Sequence, residues 1–276
     1  MNLFSAAEVT QNYINSSGKR VAQTLGKIFV LAVFAGFFIA CGGMIANTAA
    51  HTFPDSGQIR LVSGLLFPVG LIMVVLTGAE LFTGAVLLVM PLAARKVKTA
   101  SVLRLLAVAY AGNFIGAILL AAGCALFGQL GISGGGLAVY TIKVAAAKCA
   151  LSFPNALVSG FFCNALVCVA VLLSLTAKDT IGKIAGAYVP IAIFVIAGLE
   201  HSIANMFYIG AGLFALPRYG DMAIAAGIDL SGLTWGAFLL KDLLPVTIGN
   251  ILGGLAVGLG FWYVYATKPA APSKPA

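Results

Sequence analysis

Charged residues are scarce in this chain. They make up 9% of its 276 residues, and only 8 are acidic. A typical soluble domain carries about 25%, so an ordinary soluble fold is excluded. There are 2 histidines, too few for histidine-rich metal or haem chemistry. The 5 cysteines form no Cys-x-x-Cys pair and read as small packing residues. No metal site and no cofactor are expected. Gly-x-Ser-x-Gly is missing, and Gly131–Gly136 lacks the Gly-Lys-Ser/Thr end of a phosphate loop, which disfavours a membrane enzyme. Residues 1–27 are polar and carry no cleavable signal pattern. The net charge of +8 suggests nucleic acid at first sight. The basic residues, however, fall between apolar segments, so no nucleic-acid partner is expected.

What is abundant is hydrophobicity: 61% of residues, with a mean hydropathy of +1.05. The lipid bilayer is thus an expected partner. Residues 1–27 hold an expected interfacial helix at about 4–25, with Phe4, Val9, Tyr13, Ile14 and Val21 on one side. Six apolar segments follow at about 28–50, 61–90, 103–128, 152–176, 184–215 and 235–266; one span needs about 20 residues. A disordered tail, 267–276, is expected after them. Lys and Arg are biased towards one side of these spans: 11 (among them Lys19, Arg20, Lys96, Lys183 and Lys268) against 5 (Arg60, Lys143, Lys148, Arg218 and Lys241), together the 16 in the chain. The positive-inside rule then puts both termini in the cytoplasm.

The second and fifth segments are too long for one span, and each is interrupted by Gly-x-Glu: Gly78-Ala79-Glu80 and Gly198-Leu199-Glu200. A charge at bilayer depth costs about 2.5–3.5 kcal/mol or more. Irregular backbone there survives only when buried in protein or lining water. Each segment therefore reads as two half-helices joined inside the membrane. Gly112-Asn113-Phe114-Ile115-Gly116 also matches Gly249-Asn250-Ile251-Leu252-Gly253. Spans one to three (28–128) thus repeat as spans four to six (148–266). Three spans per repeat invert the second repeat, and substrate sites lie where such repeats meet. The predicted fold is all-α, with six transmembrane helices in an inverted 3+3 repeat whose second and fifth helices are broken.

Within this frame His201 is the most telling residue, an intramembrane group that titrates near neutrality. Glu80 and Glu200 read as loop fasteners, accepting N–H bonds at the half-helix starts. Lys148, placed at the start of span four, is either a snorkelling lysine or a pore-directed ammonium. Thr83 and Ser202 supply hydroxyls beside the breaks. Asn47, Asn113, Asn164, Asn205 and Asn250 are either pore-lining or inter-helix bonds. Phe67, Leu71, Leu81, Phe82, Val167 and Phe194 are core candidates able to form apolar constrictions.

Glu80-Leu81-Phe82-Thr83, the Lys148 region with Asn164-Ala165-Leu166-Val167, and Gly198-Leu199-Glu200-His201-Ser202-Ile203-Ala204-Asn205-Met206 together resemble the formate/nitrite transporter family, over about residues 4–266. Overall the chain looks most like the hydrosulfide-channel branch, a judgement that rests on no single residue. The resemblance implies an aquaporin-like fold without Asn-Pro-Ala motifs, a homopentamer with one pore per protomer, and a cytoplasmic-membrane location. By similarity His201 is the central histidine, Thr83 the threonine of the first break, Lys148 the basic residue of the outer entrance and Asn164 the pore asparagine. The six apolar candidates become constriction residues. The implied substrate is a small monovalent weak-acid anion: hydrosulfide first, or formate or nitrite. A proton-coupled transporter of the same anions and a neutral-solute channel are the competing readings.

Overall fold

A computed structural model describes residues 3–267; all of the expected tail except Thr267 lies outside them. The regular structure among the described residues is helical apart from one isolated bridge, Leu3 to Ala177. The first helix, α1 (Ala6–Val21), opens on a capping box. The Ser5 hydroxyl accepts from the Glu8 N–H, while the Glu8 side chain accepts from Ser5. Two orphan donors of the first turn are satisfied in this way. The expected apolar side is real, and Val9, Tyr13, Ile14 and Val21 are buried in the helical body.

The first repeat runs through α2 (Leu25–Ala50), α3 (Ser56–Leu66), α4 (Val69–Thr77), α5 (Phe82–Ala85), a 3-10 turn (Val86–Leu88), α6 (Val89–Ala93) and α7 (Thr99–Leu126). After a second 3-10 segment (Gln129–Gly135) comes α8 (Gly136–Cys149), a helix outside the six expected spans. The second repeat is α9 (Phe153–Thr176), α10 (Thr180–Ala197), α11 (Ser202–Ala225), α12 (Trp235–Ala237), a π-helical turn (Phe238–Leu243) and α13 (Leu244–Ala266). Seven helical stretches among the described residues are long and apolar enough to cross a membrane. Six were expected; the seventh, Gln129–Cys149, is broken by non-helical backbone at Ile132, Ser133 and Gly134. Large apolar side chains such as Leu103, Leu119, Phe162 and Ile193 face outward.

Both breaks fall on Gly-x-Glu. Gly78 (φ 72°) ends α4 and Gly198 (φ 71°) ends α10 in the left-handed conformation. A side chain would be strained there, so glycine is the residue that stops each half-helix. The repeats pack internally by close backbone approach. A Cβ on Gly116 of α7 would lie 2.0 Å from the Val33 carbonyl oxygen of α2, and one on Gly253 of α13 would lie 2.0 Å from that of Phe161 in α9. Small residues at these crossings bring helices together where apolar burial alone gives no drive.

Candidate functional site

Asn113 and Asn250, not the glutamates, hold the broken backbone. Asn113 Oδ1 accepts from the Phe82 N–H (2.9 Å), and its amide donates to the Ala32 and Glu80 carbonyls (2.8 and 3.0 Å). Asn250 does the same in the second repeat. Its Oδ1 accepts from the Ser202 N–H (2.9 Å), and its amide donates to the Gly160 and Glu200 carbonyls (2.8 and 3.0 Å). Both asparagines are fully buried. An amide serves here because it is donor and acceptor at once, whereas a carboxylate only accepts.

The glutamates take up cations instead, which corrects the capping role expected of them. Glu80 accepts both forks of the Arg20 guanidinium, Nε to Oε2 at 2.8 Å and Nη2 to Oε1. Arg20 also donates to the Tyr13 hydroxyl (2.9 Å). Glu200 accepts from Lys148 Nζ (2.7 Å) and from Asn205 Nδ2 (2.7 Å). Lys148 lies in the last turn of α8 rather than at the start of span four. Its ammonium also sits 5.4 Å from the Tyr208 ring centroid.

Three cavities lie in succession between these two ion pairs. On the α1 side, one of about 380 Å³ is lined by Tyr13, Arg20, Glu80, Leu71 and Leu81 among others. On the α8 side, one of about 150 Å³ is lined by Arg60, Lys148, Glu200, His201, Phe67 and Phe194 among others. Between them a cavity of about 10 Å³ is walled by Ile39, Phe67, Leu71, Leu81, Val167, Ile191, Phe194 and His201. That is room for about one water. Leu71 and Leu81 face both the neck and the α1-side cavity; Phe67, Phe194 and His201 face both the neck and the α8-side cavity. The largest cavity, about 940 Å³ around His51, Lys143 and Lys241, shares no residue with the neck.

Five of the six expected constriction residues thus meet at the neck, joined by Ile39 and Ile191. Phe82 does not. Its N–H is held by Asn113, and its ring packs edge-on against Tyr110 with centroids 4.9 Å apart.

His201 is the one polar side chain at the neck. Its Nε2 lies 2.9 Å from Thr83 Oγ1, and its Nδ1 accepts from the Ala204 N–H (3.1 Å). A ring nitrogen that accepts carries no proton, so the neutral ring holds its hydrogen on Nε2. Nε2–H then donates to the Thr83 oxygen, which leaves the threonine's own hydrogen free. The pair joins the two repeats across 118 positions of sequence. Phe194 stacks against the imidazole, with ring centroids 5.9 Å apart.

Of the two expected pore asparagines, Asn205 lines the α8-side cavity and Asn164 lines none of the three, and the amides of both are taken by protein partners. Asn164 donates to the carbonyls of Thr83 (3.2 Å) and Asn250 (2.6 Å), tying the first break to the asparagine that holds the second. Asn205 Nδ2 bridges Glu200 and Asp242, at 3.0 and 3.1 Å from the two Asp242 oxygens. Asp242, fully buried in the π-helical turn, and Arg20 were missed from sequence. The only local signal for Asp242 is an acid, next to Lys241, inside a largely apolar span. The partner of Glu80 lies 60 residues away and gives none.

A family profile described as "Formate/nitrite transporter" matches residues 7–265. A "Probable formate transporter" of Methanothermobacter thermautotrophicus is 38% identical over 87% of this chain and 89% of its own length. "Formate channel FocA" of Escherichia coli (strain K12) is 36% identical over 87% and 86%. Among solved structures, one titled "Pentameric formate channel with formate bound" superposes with a TM-score of 0.77 at 33% identity, covering 88% of this chain and 98% of that one.

Proposed function

This chain belongs to the formate/nitrite transporter family, and from that premise we propose that it is a pore for a small monovalent weak-acid anion. The observation that carries this reading is the run of two cavities joined by an apolar neck, with His201 in the neck's wall and Thr83 hydrogen-bonded to it. Formate leads as substrate because the named relatives and the solved neighbour are formate proteins. Hydrosulfide, favoured by general sequence resemblance, belongs to the same chemical class, as does nitrite. The solved neighbour's title supports a homopentamer. The Lys and Arg bias supports a cytoplasmic membrane with both termini inside. That orientation makes the α8-side cavity the outer vestibule.

In this mechanism Lys148 and Arg60 raise the local concentration of anions in the α8-side cavity. Lys148 remains paired with Glu200, so it is an attractor shared between carboxylate and anion. At the neck the anion meets the His201 ring, with the Thr83 hydroxyl hydrogen-bonded behind it. An unpaired ion in an apolar neck is prohibitively costly, and neutralisation is the usual escape. Because Nε2 holds the ring's single proton and Nδ1 is occupied, donating that proton would leave an imidazolate. The geometry therefore favours His201 and Thr83 as hydrogen-bond donors, with vestibule water as the proton source for the acid.

Flux into liposomes of formate, nitrite, hydrosulfide, chloride and glycerol, offered in parallel, tests the reading. The expected result is passage of the weak-acid anions, with competition among them, and exclusion of glycerol. Glycerol flux insensitive to small anions would overturn it. Uphill accumulation driven by a proton gradient would make the protein a coupled transporter instead. His201→Asn separates the two chemistries. Hydrogen bonding predicts reduced flux with its pH profile intact, and proton donation by the ring predicts loss of both.

A further inference from the structure

Asp242 is the only buried aspartate among the described residues, and none of its surface reaches solvent. It lies in the π-helical turn Phe238–Leu243, a local irregularity that recurs at functional sites. Among the described residues no basic side chain forms an ion pair with it; ion pairs there join Glu80 to Arg20 and Glu200 to Lys148. Its hydrogen-bond partner is the neutral amide of Asn205. That amide nitrogen has two hydrogens and faces three carboxylate oxygens, one of Glu200 and two of Asp242. The amide's own oxygen is buried without a partner. Lys148 supplies one positive charge to the cluster, and the two acids would supply two negative ones.

Resting on the reading that the α8-side cavity captures an anion, we propose that Asp242 holds one exchangeable proton, and that its loss weakens anion capture by Lys148. A lone carboxylate out of water is expensive and neutralises in preference. A proton on Asp242 also relieves the excess of acceptors around Asn205. With the proton in place, Lys148 and Glu200 form a neutral pair and the lysine remains available to an anion. Without it the cluster carries one net negative charge beside the vestibule. Glu200 lines that cavity and is bridged to Asp242 by the Asn205 amide, so a charge on Asp242 bears on the anion held there. The titratable and charged groups around Asp242 are Glu200, Lys148, Lys241, Cys149 and Tyr110. One cation, Lys148, is already committed to Glu200, and Lys241 is exposed.

Infrared spectra of wild-type protein in liposomes, with and without carbon-13 aspartate, test the proton directly. A protonated carboxyl band that shifts with the label at mildly acidic pH, and fades on the alkaline side, is expected. Formate flux tests the consequence. Relative to its own acid-side rate, wild type should lose about tenfold on the alkaline side beyond the loss shown by Asp242→Asn. Asp242→Glu should restore the steeper profile. A label-insensitive band, or identical profiles for wild type and Asp242→Asn, would overturn the proposal. The labelled wild-type spectrum decides the matter even where Asp242→Asn does not assemble. Absence of any anion flux in wild type would instead sink the functional reading, leaving the infrared result to stand by itself.

Discussion

The two broken helices share a scaffold and differ in what they hold. Each ends in a left-handed glycine, and each is pinned by one asparagine making the same three bonds. Each also presents a glutamate to a cation from the last turn of a preceding helix, Arg20 of α1 or Lys148 of α8. The first break, however, grips a forked guanidinium and offers a hydroxyl at Thr83. The second grips a point-charge ammonium and offers the imidazole of His201. Arginine's planar fork suits a fixed carboxylate, while lysine's rotatable ammonium can turn to a second partner. Two equivalent positions have thus become a clamp and, in the proposed function, an anion attractor, and what is common to them is structural.

That division predicts equal and large losses from the shared part. Asn113→Ala and Asn250→Ala each strand one buried N–H and the carbonyl of the break's glutamate, at about 1–3 kcal/mol for a stranded group, and take a second bond from a mid-helix carbonyl. Each should therefore cost about 3 kcal/mol or more, read as a lower melting temperature of the purified protein and a lower yield of assembled protein. A large inequality between the two would break the symmetry. It would mean that one break is held by contacts beyond its asparagine.

The same contrast marks what was legible in the chain. The breaks could be read because a glutamate inside an apolar run is costly wherever it occurs, and the glycine before it has one conformational use. The neck could be read in five of six residues through the family resemblance. Phe82 failed because the half-helix begins at that residue, which points its ring at Tyr110. The helix α8 was hidden because Gly136–Cys149 has only 14 residues and two lysines, too short and too polar for a span. The partners of the glutamates were illegible for a different reason. They lie 60 and 52 positions away, and no local pattern records which cation reaches which carboxylate.

A second, smaller effect separates clamp from attractor. Lys148→Met should lower formate flux about tenfold, chiefly by raising the half-saturating concentration, because it removes the charge that gathers the anion and leaves Glu200 unpaired. Lys148→Arg should restore part of this. Arg20→Met should act on α1 instead. Loss of the fork to Glu80 and of the bond to Tyr13 frees the last turn of that helix, which limited proteolysis would detect as faster cleavage near residue 20. Should Arg20→Met shift half-saturation as much as Lys148→Met does, the two cations would share one role and the distinction drawn here would collapse.

The smallest effect belongs to the far end of α1, and it tests whether that helix is held by its clamp or by its own start. The Glu8 carboxyl sits below its ordinary 4.5 because the Ser5 backbone N–H, then the Ser5 hydroxyl, donate to its charged form. A depressed carboxylate favours the folded helix above its unfolded value, and that advantage disappears as pH falls through the folded one. The N-terminal turn of α1 should therefore fray below about pH 4.5. Ser5→Ala should produce part of this fraying at neutral pH and weaken its acid dependence, because the residue-5 backbone N–H still donates to Glu8. Amide hydrogen exchange over residues 5–10 reads this directly. Residues 17–21 should stay protected in both cases, because Arg20 holds them to Glu80 by a bond that does not depend on the cap. Acid-induced exchange running the whole length of α1 would show the cap and the clamp to be one cooperative unit, and would make the first break's cation as dependent on its helix as Lys148 is on α8.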